Sequence, residues 1–158
     1  MNPNDPNNRQ MYQQYANAWD QGTYHQIPHA EAYQQYGQFM QNASPQMVEQ
    51  VHQQYYEQVP PQQRGGIVQG ILSGLMQRGI QPQQTGIQNT DPNSMSPRDA
   101  ARLTGYAQQQ APDVLHQVFS PGGALSSPFA KAAVAGIVAL AAKQILGGGF
   151  GGGGNSLL

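Results

Sequence analysis

The feature that most constrains the fold is a run of apolar pairs between Pro61 and Arg78 that repeats every four residues. The pairs are Ile67-Val68, Ile71-Leu72 and Leu75-Met76. Side chains spaced in this way share one face of an α-helix, and a stripe of this width is typical of a helix packed on a core. Gly79 and Pro82 then predict a left-handed helix end and a stop. This segment is therefore predicted to be the core helix of an all-α fold.

Ser-Pro pairs mark further helix starts, at Ser44-Pro45, Ser96-Pro97 and Ser127-Pro128. The serine side chain accepts a hydrogen bond from the first free amides, and proline at the first helical position lacks an N–H that would have no partner. With Pro112 as a break, we predict helices over residues 97–110, 112–119 and 128–146. The expected fold is a small helical bundle of four to six helices, with its core in residues 44–146.

Residues 1–43 are predicted to form a polar, partly ordered arm, because Asn, Gln, Tyr and Pro offer little apolar surface to bury. Apolar residues from Met11 to Trp19 recur at helical spacing, which predicts one or two short helices in this arm. A four-residue pattern occurs three times: Tyr12-Gln13-Gln14-Tyr15, Tyr33-Gln34-Gln35-Tyr36 and His52-Gln53-Gln54-Tyr55. It indicates either amphipathic helices or chance recurrence in a chain rich in glutamine and tyrosine.

Residues 147–158 are glycine-rich, with Phe150 inside the glycine run and Leu157-Leu158 at its end. Glycine-rich segments behave as flexible coils. We therefore expect a disordered tail, in which Phe150, Leu157 and Leu158 are candidates for docking on a partner.

Charge is scarce: only 9% of the residues are charged, the net charge is -1, and roughly one residue in six is glutamine. No basic field is available to bind phosphates, so nucleic acid is not an expected partner. The chain has no cysteine, and its first ten residues have no apolar stretch of the kind found in signal peptides. A cytoplasmic location is expected, with peripheral membrane association as the alternative.

No residue pattern predicts catalysis, a metal site or a cofactor site. His25, His29 and Glu31 have a spacing that metals use, but Pro28 interrupts the helical turn that would align them. His52 and His116 are interpreted as ordinary residues at the surface or boundary of helices. Neither a nucleophile elbow nor a phosphate-binding loop occurs. We expect a protein that is not an enzyme. A small enzyme whose site the sequence does not reveal is kept as an alternative.

Small residues predict a close contact between two helices. Glycine costs about 1 kcal/mol relative to alanine in a helix, so repeated glycines on one face call for a compensating contact. Such faces allow two backbones to approach closely, as small-xxx-small pairs do. The predicted packing residues are Gly66, Gly70 and Gly74 on the core helix, and Ala132, Gly136 and Ala139 on the last helix.

These features predict a non-enzymatic assembly, scaffold or adaptor protein that acts through helix packing and self-association. Its expected partners are proteins, and a homo-oligomer is expected because low surface charge opposes association weakly. The alternative is a membrane-associated factor anchored by the apolar helix of residues 129–146. Lys131 and Lys143 bound an uncharged stretch that is shorter than the ~20 residues needed to cross a bilayer.

Overall fold

The structure, a computed structural model, describes residues 6–125 and 129–146. These residues form seven α-helices and no strand, so the predicted all-α fold is confirmed, whereas the predicted count of four to six helices is not. The helices are α1 (Pro6–Gln21), α2 (His29–Asn42), α3 (Pro45–Gln58), α4 (Pro61–Gln77), α5 (Pro97–Gln110), α6 (Pro112–Phe119) and α7 (Ala130–Leu146). Short 3-10 helices at Tyr24–Gln26 and Pro82–Thr85 lie in the connections.

Two of the predicted Ser-Pro starts are confirmed as helix caps. The Ser44 hydroxyl accepts a hydrogen bond from the Met47 amide at 3.2 Å, and the Ser96 hydroxyl accepts one from the Asp99 amide at 3.1 Å. Each bond satisfies one of the amides that a helix start leaves without a partner inside the helix. The third pair, Ser127-Pro128, includes residues outside the described part of the chain.

The predicted end of α4 is also confirmed. Gly79 has φ = 80°, the left-handed conformation that glycine adopts without steric cost. The Ile80 amide donates to the Leu75 carbonyl at 2.9 Å, and the Gly79 amide donates to the Met76 carbonyl at 3.0 Å. These two bonds are the pair that defines a Schellman helix stop. Helix α4 is therefore ended by local chemistry that its own sequence carries.

Helix α7 is the central element of the bundle. Every residue from Ala133 to Ala142 is buried, so the helix is covered on all sides. Helices α1, α2, α3 and α6 pack on it, while α4 packs on α5 and α6. A helix that is apolar all round is the kind that a protein core encloses. The residues that a membrane anchor would present to lipid are thus in contact with other helices of the same chain.

Helices α1 and α2 differ from the expectation of an arm outside the core. Their side chains Tyr12, Tyr15, Tyr36 and Phe39 are buried in the same hydrophobic cluster as α7. An ion pair also joins α7 to α1, since the Lys143 ammonium lies 2.6 Å from the Asp20 carboxylate. Composition alone did not predict that this region joins the core, because its many polar residues hide the contribution of its tyrosines. These tyrosines supply large apolar rings to the core.

Candidate functional site

The four histidines are dispersed among different environments. The His29 Nε2–H donates to the carbonyl of Phe119 at 2.7 Å, and His25 is exposed with its ring edge against Tyr24. His52 is fully buried, so its interpretation as a surface or boundary residue was wrong. His116 is exposed at the end of α6. Two of these side chains, His52 and His116, pair with tyrosines of α2.

Buried His52 has a defined tautomer because both ring nitrogens have partners. Its Nδ1 lies 2.7 Å from the Val48 carbonyl, which can only accept, so Nδ1 carries the hydrogen. The Tyr36 hydroxyl lies 3.0 Å from Nε2. In the neutral ring Nε2 has a lone pair, and Tyr36 therefore donates its hydroxyl hydrogen to it. Tyr36 and His52 form a buried donor–acceptor pair between α2 and α3.

Burial decides the protonation of this pair. Removal from water disfavours the charged imidazolium and lowers the pKa of His52 to about 4, although the bond to Val48 opposes the shift. The same effect raises the pKa of Tyr36 well above its ordinary value. At neutral pH both groups are uncharged, with one hydrogen held between Tyr36 Oη and His52 Nε2.

A second tyrosine–histidine pair lies beside the first one and nearer to solvent. The Tyr33 hydroxyl is 2.8 Å from Nδ1 of His116, and the Tyr33 ring stacks on Tyr36 with centroids 6.2 Å apart. Tyr33 and Tyr36 are three residues apart on α2, which places them on one helix face. The two pairs therefore form one continuous cluster that reaches from the core to the surface.

A surface groove of about 320 Å³ opens at this cluster, between α2 and α6. We call it the α2–α6 groove and define it by Tyr33, Tyr36, Gly37, Met40, Leu115 and His116. Within the described chain its lining includes no Asp, Glu, Lys or Arg. A side chain added at Gly37 would meet no other atom of the described chain within 4 Å. The groove can therefore accept an apolar or aromatic group that carries no charge.

Further aromatic rings extend the cluster through the core to Trp19. We call the whole set the aromatic row; it consists of Trp19, Tyr55, Tyr56, His52, Tyr36 and Tyr33. Centroid distances between successive members, in this order, are 6.2, 6.0, 6.3, 5.7 and 6.2 Å. These separations lie within the range of tilted, edge-on and offset-stacked aromatic contacts. The row crosses the bundle from α1 to α2 by way of α3.

The predicted packing of the α4 glycines on α7 is wrong. A Cβ atom at Gly70 would lie 3.0 Å from the Leu125 carbonyl oxygen, and one at Gly74 would lie 2.7 Å from Val114. The glycine face is thus filled by α6 and by the segment that follows it. The reason is the position of α6, which contacts both α4 and α7. Gly66 is half-buried on the same helix.

The small residues of α7 have a different neighbour from the predicted one. A Cβ atom at Gly136 would lie 2.8 Å from Cδ1 of Tyr55 and 3.2 Å from the Trp19 ring, so aromatic rings occupy this position. Ala139 is buried and Ala132 is half-buried. Gly136 therefore makes room for the first two members of the aromatic row.

The sequence also singled out the tail residues as docking candidates and a set of residues with metal-ligand spacing. Phe150, Leu157 and Leu158, the candidates for tail docking, lie outside the described residues. Across residues 6–125 and 129–146 no group of three potential metal ligands occurs, and His25, His29 and Glu31 form none. None of the helices in those ranges has the length and apolar character needed to cross a membrane.

The recurring four-residue pattern is the sequence signal that could have found this site, although the sequence alone used it only as an indication of helices. Its first and last positions are Tyr12 and Tyr15, Tyr33 and Tyr36, and His52 and Tyr55. All are buried except half-buried Tyr33. Residues three apart lie on one face of a helix, so the first and last positions of each copy direct two rings toward the core, while the intervening glutamines are exposed or half-buried. The pattern located the rings but not which of them meet.

Comparisons with protein-family models, with curated proteins and with solved structures found no match for this chain. Function is therefore inferred from the contacts of the described side chains. The features available for that inference are the α2–α6 groove and the aromatic row beside it.

Proposed function

We propose that this protein is a non-enzymatic assembly protein and that copies of the chain associate through the α2–α6 groove. Tyrosine and methionine are enriched where proteins bind one another, and both contribute to this lining through Tyr33 and Met40. Met40 and Tyr33 are half-buried, so part of each remains available for contact. Methionine also adapts its shape to irregular partners.

Gly37 is the observation that carries the proposal. It lies within α2, where glycine costs about 1 kcal/mol relative to alanine. Gly70, Gly74 and Gly136 each have a close neighbour that excludes a side chain, whereas no described atom approaches the Cβ position of Gly37. Gly105 in α5 also has an open Cβ position, but the groove that it lines carries charged side chains, whereas the lining at Gly37 carries none. Close approach by another chain at the uncharged groove accounts for Gly37, which packing within this chain does not require.

The proposed occupant is a second copy of this chain, because the groove and the chain as a whole both carry little charge. The groove offers no charged side chain to attract a strongly acidic or basic partner. The chain itself has a net charge of -1 and only 9% charged residues, so two copies repel one another weakly. A two-fold symmetric dimer would place the same groove on both sides of the contact.

Gly37→Arg tests the proposal by placing a long, charged side chain in the groove. Arginine has higher helix propensity than glycine, so the folded monomer should be preserved or stabilised. Gly105→Arg is the matched control, because Gly105 also lies within a helix, α5, with no neighbour within 4 Å of its Cβ position. We expect sedimentation equilibrium to show a lower mass for Gly37→Arg than for the wild type and for Gly105→Arg.

Two results would contradict the proposal. A wild-type protein that stays monomeric at every concentration measured would exclude self-association as its mode of action. A loss of mass in Gly105→Arg but not in Gly37→Arg would move the contact to α5. Circular dichroism of both variants checks that each one is folded before its mass is interpreted.

A further inference from the structure

The aromatic row has partners that distinguish its tyrosines chemically. Oxidation of a tyrosine by one electron makes its hydroxyl strongly acidic, so the reaction proceeds readily only where a base accepts the proton. Tyr36 faces the lone pair of His52 Nε2, and Tyr33 faces Nδ1 of His116. Both tyrosines have an imidazole nitrogen at hydrogen-bond distance, and their rings are stacked.

Tyr56, in the middle of the row, lacks such a base. Its hydroxyl lies 2.9 Å from Oγ1 of Thr104, and that threonine donates its own hydrogen to the Ala100 carbonyl at 2.9 Å. Thr104 therefore accepts from Tyr56 but has no basic site to take its proton. A tyrosyl radical is therefore less stable at Tyr56 than at Tyr36 or Tyr33, where an imidazole can accept the proton.

We propose that the aromatic row is a path for one-electron oxidation, which carries an oxidising equivalent from Trp19 through the core to Tyr33 at the α2–α6 groove. Trp19 is half-buried at one end, and Tyr33 is half-buried at the other. This inference is independent of self-association, because it depends on the rings and bases inside one chain.

The oxidant in the first step is an external radical. The radical takes one electron from the Trp19 indole, which releases its N–H proton to water. The Trp19 radical is then reduced by an electron that comes from Tyr36 along the row, and it regains a proton from water. Tyr36 passes its hydroxyl proton to Nε2 of His52. The products of this step are a neutral Tyr36 radical and an imidazolium at His52.

A second transfer moves the oxidising equivalent outward. Tyr33 gives an electron to the Tyr36 radical, which takes back its proton from His52, while the Tyr33 proton moves to Nδ1 of His116 in its Nε2–H tautomer. Positive charge thereby leaves buried His52 for exposed His116, where water stabilises it. This gain in solvation gives the path its direction, from the core toward the groove.

The single tryptophan makes the path testable, because azide radicals generated by pulse radiolysis oxidise tryptophan at neutral pH. Tryptophan and tyrosine radicals absorb at different wavelengths. We expect the Trp19 signal to decay as a tyrosyl signal rises, at a rate that does not depend on protein concentration. Tyr36→Phe should slow this transfer at least several-fold, since the ring stays while the acidic hydroxyl is lost.

Tyr106→Phe is the matched control, because Tyr106 is a half-buried tyrosine on α5 outside the aromatic row. It should leave the transfer rate unchanged. Tyr33→Phe should leave the radical at Tyr36, where the core shields it, and should therefore lengthen its lifetime. Circular dichroism establishes that each variant is folded.

Two other tyrosines near Trp19 define the results that would overturn the proposal. Tyr24 lies against the Trp19 ring with a centroid distance of 4.8 Å, and the Tyr15 hydroxyl donates to the Glu31 carboxylate at 3.0 Å. Transfer that is abolished by Tyr24→Phe or Tyr15→Phe, and is unchanged in Tyr36→Phe, would show that the oxidising equivalent stops near α1. A Trp19 radical that decays without any tyrosyl signal would equally exclude the path.

Discussion

The Tyr36 hydroxyl on α2 donates to Nε2 of His52 on α3 across 3.0 Å, and both side chains are buried. The two residues are 16 positions apart in the sequence. Their bond joins a helix from the polar N-terminal region to the bundle core. Burial keeps the His52 imidazole neutral, and this makes the stability of the fold depend on pH.

Acidification should destabilise the protein through His52. The pKa of this imidazole is about 4 in the folded protein and about 6.5 when it is exposed, so between these values the unfolded chain binds a proton that the folded chain does not. This contribution is present in full above pH ~6.5 and is lost progressively as pH falls from about 6.5 to about 4, with a total of about 3 kcal/mol.

Urea denaturation from pH 7 to pH 4 measures this effect when the wild type is compared with His52→Gln. The difference in unfolding free energy between the two proteins should shrink as pH falls, because only the wild type has the buried imidazole. Contributions from the rest of the chain are common to both proteins and cancel in this difference. A difference that is constant with pH would show that His52 does not titrate in this way.

Gly136→Ala should destabilise the fold. The added methyl would lie 2.8 Å from Cδ1 of Tyr55, so the ring must move, and such overpacking costs about 1–3 kcal/mol against a propensity gain of up to about 1 kcal/mol. Gly37→Ala is the matched control and should stabilise α2, since nothing in the described chain lies near its Cβ position. Opposite signs in thermal denaturation are expected, and a stabilised Gly136→Ala protein would contradict the contact with Tyr55.

Gly70→Leu should destabilise the fold without changing its mass in solution. The position faces the Leu125 carbonyl oxygen at 3.0 Å and the Val118 side chain at 3.4 Å, both within the same chain. Overpacking of about 1–3 kcal/mol is expected in chemical denaturation. A folded variant of unchanged stability but lower mass would instead place the α4 glycine face between chains.

Ser96→Ala should lower the unfolding free energy by about 0.5–2 kcal/mol, because the Asp99 amide loses the hydroxyl that caps α5. Ser73→Ala is the comparison, since Ser73 lies inside α4, where alanine is the better helix former. Urea denaturation should therefore move in opposite directions for the two variants. Equal effects would mean that the Ser96 hydroxyl does not act as a cap.

The sequence by itself determined where most helices begin and end. Ser44, Ser96, Pro112 and Gly79 mark boundaries that recur in the structure, because capping and helix breaking involve atoms within a few residues of one another. The tyrosine pattern could also have identified the ring-bearing faces, since residues three apart share a face in any α-helix.

Only the tertiary structure decided which of those faces meet. Gly70 lies against Leu125 and Val118, Gly136 lies against Tyr55, and Tyr33 reaches His116 across 83 positions of the chain. A small residue in a sequence indicates room without indicating what fills it, and a methyl group, a carbonyl or an aromatic ring can each pack there. The partner is selected by the way the seven described helices pack on one another, because close packing of one face excludes every alternative neighbour at once.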